Sequence, residues 1–145
     1  MARRRVLVLC TGNSCRSQMA QGWIEHLLGD RWEVRSAGTL PAAGVHPLAV
    51  RAMAEAGVDI SAGTPEHVSR YLDDPWDLVV TVCDFARETC PVFPRPVAQL
   101  HLAFYDPVAA TGTDEERLVV FRKVRDEIKD RLIPEIAARY EPPQR

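Results

Sequence analysis

The sequence lacks several features that would assign it to a large protein class. No apolar run approaches the roughly 20 residues of a membrane-spanning helix, and the run at 6–10 is shorter than the about 7–15 apolar residues of a signal peptide. The 145 residues carry a formal net charge of -2, so no excess of one sign indicates nucleic acid or an anionic membrane as a partner. No Gly-Lys-Ser/Thr triplet follows a glycine-rich loop, which excludes a Walker A site. These absences predict a cytoplasmic protein that binds neither nucleic acid nor membrane.

Cysteine is scarce: the chain has only Cys10, Cys15, Cys83 and Cys90. A small secreted protein would use an even number of cysteines as a disulfide framework, but a chain of this length can build a core without one. In a reducing compartment, paired cysteines are more often catalytic, redox-active or metal-binding. Structural zinc stays open as an alternative, although the C-x6-C spacing of the second pair is wider than the about 2–4 residues of a zinc knuckle. The histidines show no ligand spacing, so no metal is predicted.

Hydrophobic periodicity predicts alternating strands and helices within one domain, residues 1–145. Short apolar runs indicate strands, and apolar residues at i, i+3, i+4 and i+7 indicate helices. The predicted strands lie at 5–10, 32–38, 77–83 and 97–104, and the predicted helices at 20–28, 46–57, 64–72 and 113–132. Pro134 interrupts the pattern of the last helix, so the turns after it are expected to be bent or separate. This alternation predicts an α/β fold in three layers, a four-stranded parallel sheet flanked by helices on both faces.

Three chemically active side chains fall where such a sheet binds its ligands. Ligands of parallel sheets bind beyond the carboxyl ends of the strands. Cys10 and Cys83 each end a predicted strand, and Asp106 follows the fourth strand by a few residues. We therefore expect these three residues at one edge of the sheet.

The stretch CTGNSCRS, residues 10–17, connects the first strand to the first helix. Free amide groups and the positive end of a helix dipole attract an anion at such a junction, and a guanidinium fits two oxygens of a tetrahedral oxyanion. The same field is expected to lower the pKa of Cys10 and make its thiolate a nucleophile, to which Ser17 can donate a hydrogen bond. The alternative is a pair of buried, inert thiols. The candidate binding residues are Thr11, Gly12, Asn13, Ser14, Cys15, Arg16 and Ser17.

The longer stretch CTGNSCRSQMAQGW resembles the signature of arsenate reductases built on the low-molecular-weight tyrosine phosphatase fold. The similarity covers nearly the whole chain, with counterparts for SAG at 36–38, DLVVTVC at 77–83, CP at 90–91 and YDP at 105–107. The phosphatases of this fold share the Cys10 loop and the Asp-Pro acid, but they generally lack a pair like Cys83 and Cys90. That pair indicates the thioredoxin-coupled reductases.

The resemblance implies a reaction path for arsenate with Cys10, Arg16, Cys83, Cys90 and Asp106 as catalytic residues. Cys10 attacks arsenate while Asp106 protonates the departing hydroxide. Cys83 then attacks Cys10 and releases arsenite, Cys90 attacks Cys83, and thioredoxin reduces the final disulfide. A helical 84–89 would hold the last two cysteines about 10 Å apart, whereas disulfide Cα atoms lie within about 7 Å. The segment between them is therefore expected to unwind on oxidation.

One position departs from the family pattern. Some reductases of this family bind potassium near the loop through the equivalents of Asn13 and Ser36 and a carboxylate of the first helix. The neutral Gln21 stands at that helix position, so neither potassium nor any other cofactor is predicted. Phosphate or sulfate can occupy the same loop. The open alternatives are a low-molecular-weight protein tyrosine phosphatase, a thiol redox sensor and a structural zinc protein, and nothing demands more than a monomer.

Overall fold

The computed structural model describes residues 3–84 and 93–140. Its four strands are β1 (Arg4–Cys10), β2 (Trp32–Gly38), β3 (Leu78–Thr81) and β4 (Ala98–His101). The α-helices in this part of the chain are α1 (Arg16–Leu28), α2 (Pro47–Glu55) and α3 (Asp114–Tyr140), and short 3-10 helices span Val68–Tyr71 and Pro107–Ala109.

The four strands form one parallel sheet in the order β2-β1-β3-β4. Residues 6–9 of β1 have no solvent exposure. Because successive side chains of a strand point to opposite faces, this burial means that both faces of β1 are covered. The predicted α/β fold class with a four-stranded parallel sheet is confirmed.

The start and end of α2 follow local sequence signals. Pro47 occupies the first turn of α2, where its missing N–H costs no hydrogen bond. Before it, Nδ1 of His46 caps the helix by accepting a hydrogen bond from the backbone N–H of Leu48 at 3.1 Å. Gly57 follows the end of the helix with a φ of 84°, a left-handed conformation that glycine adopts without strain. The predicted helix boundaries are correct here to within two residues.

α3 begins with the predicted capping box and then continues further than predicted. The N–H of Thr113 donates to Oε1 of Glu116 at 3.1 Å, and the N–H of Glu116 donates to Oγ1 of Thr113 at 3.2 Å. The expectation that Pro134 separates the last turns is wrong, because one helix runs to Tyr140. Each buried apolar side chain contributes about 1.5–3 kcal/mol, which offsets the about 3 kcal/mol cost of an internal proline. The buried side chains, on both sides of the proline, are Leu118, Phe121, Val124, Ile128, Leu132 and Ile136.

The helix predicted at 64–72 is wrong, since only the 3-10 turn Val68–Tyr71 forms there. The preceding backbone pairs with the end of β2 instead. His67 forms an isolated parallel bridge with Gly38, and the N–H of Gly38 donates to the carbonyl of Glu66 at 2.8 Å. Pairing with the sheet therefore outweighs the local helix signal.

The carboxyl edge of the sheet gathers the chemically active residues. β1, β3 and β4 end at Cys10, Thr81 and His101, so β3 and β4 are shorter than predicted and Cys83 lies just beyond β3. The helix considered for 84–89 falls outside the described residues from position 85 onward. In the described ranges, no helix is both long and apolar enough to cross a membrane.

Candidate active site

The Cys10 loop, residues 10–17, joins β1 to α1 at this edge. Cys10 ends β1 with 4% of its surface exposed, and α1 begins at Arg16. No side chain of the described residues caps the N-terminus of α1 at Cys15. The first amide groups of the helix therefore keep their donors available, and the helix dipole adds a partial positive charge. This end of α1 suits an anion.

Backbone carbonyl groups of the loop already accept hydrogen bonds from other parts of the protein. Those of Thr11, Gly12 and Ser14 accept hydrogen bonds of 2.8–2.9 Å from backbone amides within 40–46. The amides of residues 12–17, in contrast, donate to no acceptor in the part of the chain that the structure describes. Segment 40–46 thus holds the loop by its acceptors and leaves its donors for a bound oxyanion.

Asn13 holds the shape of the loop from inside. It is fully buried and has a φ of 50°, a left-handed conformation that asparagine tolerates better than most residues. Its Nδ2 donates to Oγ of Ser17 at 2.8 Å and to Oγ of Ser36 at 2.9 Å. Its Oδ1 accepts the N–H of Glu66 at 2.9 Å, and its carbonyl accepts Nε2 of Gln18 at 3.1 Å. The side chain is thereby committed to neighbouring protein groups.

Gly38 allows β2 to approach the loop closely. A Cβ added at Gly38 would lie 2.4 Å from the carbonyl oxygen of Thr11. Two non-bonded atoms cannot come that close, and a backbone carbonyl has little freedom to move. The glycine of the SAG motif is therefore required by the packing of the loop against β2.

Arg16 is the first residue of α1, and 12% of its side chain is exposed. Its Nη1 donates to the carbonyl of Phe104 at 3.1 Å, and its Nη2 lies 3.6 Å from Oδ2 of Asp106. Its Nε is buried and has no hydrogen-bond partner among the described residues. A buried donor without a partner is costly, and an oxyanion on the loop would supply the acceptor.

Asp106 is both a helix cap and a partner of Arg16. Its Oδ1 accepts the N–H of Val108 at 3.1 Å at the start of the 3-10 helix Pro107–Ala109. Its other oxygen faces Arg16, and 46% of its side chain is exposed. Asp106 therefore starts a turn, as the aspartate of an Asp-Pro pair often does, and also lies at the candidate active site.

The structure brings two of the predicted catalytic cysteines together. Cys10 and Cys83 are both buried, and the Cys83 thiol is near enough to raise the pKa of Cys10. The sulfur of Cys83 also lies 3.3 Å from Oγ1 of Thr11. Cys90 and the Cys-Pro pair at 90–91 lie outside the described residues.

The expected thiolate at Cys10 is not the form that this conformation favours. The hydrogen bond to Cys83 and burial raise the pKa of Cys10, and the charge of Arg16 only partly opposes them. The suggested hydrogen bond from Ser17 to Cys10 is absent among the described residues, where the Ser17 hydroxyl accepts from Asn13. The prediction of a lowered pKa for Cys10 did not include Cys83, because no local pattern around the loop shows that Cys83 lies nearby.

Cys15 has a different environment. Burial and the nearby charge of Asp106 raise the pKa of Cys15 to about 12, against the opposing charge of Arg16. A thiol with such a pKa is protonated near neutral pH and is a poor nucleophile. We therefore interpret Cys15 as a buried residue that helps to hold the loop in shape.

Comparison with known proteins identifies the family. The family model of the low molecular weight phosphotyrosine protein phosphatases matches residues 5–138. The chain belongs to this family.

Within the low molecular weight phosphatase family, the proteins similar to this chain include several arsenate reductases. That of Halalkalibacterium halodurans is 51% identical over 132 residues, which cover 91% of this chain and 94% of that protein. The structure of an arsenate reductase in the phosphate binding state matches with a TM-score of 0.73 and 33% identity over 93% of this chain and 98% of that chain. A thioredoxin-dependent arsenate reductase from Corynebacterium glutamicum matches with a TM-score of 0.67 and 29% identity over 94% of this chain and 63% of that chain. The resemblance inferred from the motifs is confirmed.

The side chains that the resemblance suggested as potassium ligands make hydrogen bonds to other protein groups. Oγ of Ser36 donates to Oε1 of Gln21 at 2.5 Å and accepts from Asn13. Nε2 of Gln21 donates to Oε1 of Glu25 at 3.1 Å. Within residues 3–84 and 93–140, no group of three or more His, Cys, Asp or Glu side chains could hold a metal ion. Absence of a bound cation stays a prediction.

Sequence reasoning missed a polar chain next to Cys83. Nδ1 of His101 lies 2.7 Å from Oγ1 of Thr81, and Nε2 lies 2.8 Å from Oδ1 of Asp84. The available signal was the strand register, because Thr81 and His101 are direct partners at the ends of β3 and β4.

Proposed function

We propose that this protein reduces arsenate to arsenite with electrons from thioredoxin. The single observation that carries the proposal is the position of Cys83 beside the Cys10 loop, with its sulfur 3.3 Å from Oγ1 of Thr11. A nucleophile on an oxyanion-binding loop suffices for phosphate ester hydrolysis, in which water completes the reaction. A second thiol in contact with it suits a two-electron reduction, since converting two thiols to a disulfide releases two electrons.

In the first step, arsenate binds to the amides of residues 12–17 and to Arg16. The entering arsenate dianion accepts the Cys10 proton, and the positive charge of Arg16 together with the loop amides stabilises the thiolate that results. The thiolate attacks arsenic, and Asp106 protonates the departing oxygen, which leaves as water. The product is a Cys10–arsenic(V) adduct.

In the second step, the Cys83 thiolate attacks the Cys10 sulfur. The S–S bond forms, the sulfur–arsenic bond breaks, and its electron pair leaves with arsenic, which is reduced from +5 to +3. Arsenate and two thiols have then become arsenite, water and a disulfide. Cys90 next attacks Cys83 and frees Cys10, and thioredoxin reduces the Cys83–Cys90 disulfide.

Other parts of the proposal follow from this chemistry. Residues 1–145 act as one domain and as a monomer, since the path needs no residue of a second chain. Dependence on thioredoxin fits a reducing compartment such as the cytoplasm.

The deciding experiment is arsenite release with thioredoxin, thioredoxin reductase and NADPH, repeated with glutathione and glutaredoxin. We expect NADPH oxidation that requires arsenate, with thioredoxin as the effective donor, and loss of that oxidation in Cys10→Ser. Absence of arsenate-dependent NADPH oxidation with both donors would overturn the proposal.

A low-molecular-weight protein tyrosine phosphatase is the second candidate, favoured by the family match and by Arg16 beside Asp106. It predicts turnover of a phosphate ester that does not depend on Cys90, together with no reduction of arsenate. A thiol redox sensor would instead form its disulfide with peroxide and show no requirement for arsenate.

A further inference from the structure

A second polar network lies at the carboxyl edge of the sheet, beside Cys83. Its residues are not among those proposed to bind an oxyanion on the loop. It consists of Thr81, His101 and Asp84, and we call it the His101 bridge. The imidazole joins Oγ1 of Thr81 at 2.7 Å to Oδ1 of Asp84 at 2.8 Å. The bridge therefore connects the last residue of β3 to the residue that directly follows Cys83.

The two ends of the His101 bridge differ in how firmly they are held. Thr81 is 6% exposed and belongs to the sheet, whereas the side chain of Asp84 is 75% exposed. Backbone hydrogen bonds of 3.0–3.1 Å from 102–104 hold Thr81 and Val82. The bridge extends this attachment past Cys83, to a residue whose exposure would otherwise leave it free to move.

The hydrogen bonds of the bridge persist in both protonation states of the imidazole. A carboxylate only accepts, so Nε2 of His101 carries a proton and donates to Asp84. In the neutral ring, Nδ1 accepts from the Thr81 hydroxyl; in the charged ring, Nδ1 donates to the same oxygen. The bridge therefore acts through position, since protonation reverses one donor without removing a bond.

We propose that His101 is a positioning residue for the attack of Cys83 on Cys10. Through Asp84 it holds the backbone at Cys83, so that this thiol stays beside the Cys10 loop, with its sulfur 3.3 Å from Oγ1 of Thr11. The inference rests on the proposed reductase function. The step it assists is the one given above, in which the S–S bond forms and the sulfur–arsenic electron pair leaves with arsenite. Hydrolysis of a phosphate ester at Cys10 has no such step.

Three variants separate the two hydrogen bonds of His101. The amide of asparagine reaches as far as Nδ1, so His101→Asn keeps a partner for Thr81 and loses Asp84. The amide of glutamine reaches as far as Nε2, so His101→Gln keeps the bond to Asp84. Asp84→Ala removes the same bond from the other side. His26→Asn, at an exposed position near the end of α1, is the matched control.

The first measurement does not depend on arsenate. In a background with Cys15→Ser and Cys90→Ser, Cys10 and Cys83 are the only thiols, and diamide accepts their two electrons and two protons. Intact mass follows the loss of two hydrogen atoms as the disulfide forms. We expect His101→Asn and Asp84→Ala to form it about 10- to 100-fold more slowly than the background protein. His101→Gln and His26→Asn should match the background.

Two results would overturn the inference in this measurement. One is a rate for His101→Asn equal to that of the background. The other is an equal loss of rate in His101→Asn and His101→Gln, since the bond to Asp84 would then not be the cause. Because diamide replaces arsenate, these outcomes are readable even if the protein reduces no arsenate, a result that would count against the proposed function alone.

The second measurement compares two activities of otherwise unaltered chains. We expect His101→Asn to lower kcat for arsenate reduction while KM for arsenate and kcat/KM for p-nitrophenyl phosphate hydrolysis stay unchanged. His101→Gln should restore kcat. A parallel fall of both activities and of the thermal midpoint would show general damage to the fold and would overturn the positioning role.

Discussion

The side-chain oxygen of Thr11 lies 3.3 Å from the sulfur of Cys83. Thr11 belongs to the loop of the nucleophile, whereas Cys83 reaches that loop from the end of β3. The contact brings a second thiol to Cys10 from a distant part of the sequence, although Cys15 is far closer along the chain. Tertiary contact therefore favours Cys83 over Cys15 as the partner of Cys10.

Replacing Cys90 with serine is expected to stop arsenate reduction after one arsenite per chain. Cys83 can still attack Cys10, but no third thiol then frees Cys10 from the disulfide. Quantifying arsenite and mapping the alkylated peptides by mass spectrometry should show a Cys10–Cys83 disulfide in equal amount. Continued turnover, or a disulfide between Cys10 and Cys15, would contradict the proposed order.

Asp106→Asn tests the acid without removing the helix cap. Asparagine still accepts the N–H of Val108, and the half-exposed carboxylate lies 3.6 Å from Nη2 of Arg16. Asparagine cannot protonate a departing oxygen, so we expect kcat for arsenate to fall by about 10²- to 10⁴-fold. The thermal midpoint, measured in parallel, should change little. An unaltered kcat would assign the proton to another group.

Local signals predicted much of this fold. The short apolar run RVLVLC predicts β1, and the alternation of WEVRSAG predicts β2. The Thr113–Glu116 spacing predicts the start of α3, and Pro47 with Gly57 marks the limits of α2. Each of these features depends on residues within a few positions of one another, where backbone propensity and side-chain caps act.

The features that the sequence did not predict depend on distant residues. The His101 bridge requires the register of β3 with β4, and the raised pKa of Cys10 requires its contact with Cys83. Similarly, α3 continues through Pro134 because core packing on both sides of it outweighs one lost hydrogen bond. Periodicity contains no information about such partners.

Asn13→Ala is expected to destabilise the protein by removing three side-chain hydrogen bonds. At about 0.5–1.5 kcal/mol each, their loss lowers the free energy of unfolding by about 1.5–4.5 kcal/mol. Asn13→Gly loses the same bonds but adopts the left-handed conformation without strain, which restores about 1–2 kcal/mol relative to alanine. Urea unfolding of the three proteins gives both differences. A glycine variant less stable than the alanine variant would contradict this account of the loop.

His46 is expected to make the stability of the protein depend on pH. Burial and the charge of Arg117 lower the pKa of His46 from its ordinary 6.5, against the opposing charges of Asp106 and Asp114. The unfolded chain therefore binds a proton at a higher pH than the folded one, so stability rises with pH up to about 6.5 and is lost as the pH falls below it. Protonation also removes the Nδ1 acceptor that caps α2 at the N–H of Leu48.

Thermal midpoints between about pH 7.5 and about pH 5 test this expectation, with His46→Asn as the matched control. Asparagine is a good N-cap and does not titrate in this range, so the variant should keep α2 capped at every pH. The difference in midpoint between the unmodified protein and His46→Asn should then shift in favour of the variant as the pH falls. The backbone N–H of His46 donates to the carbonyl of Ser14 at 2.8 Å, so loosening of this cap also reaches the Cys10 loop. A midpoint difference that is constant over this range would show that the folded and unfolded states bind the His46 proton equally.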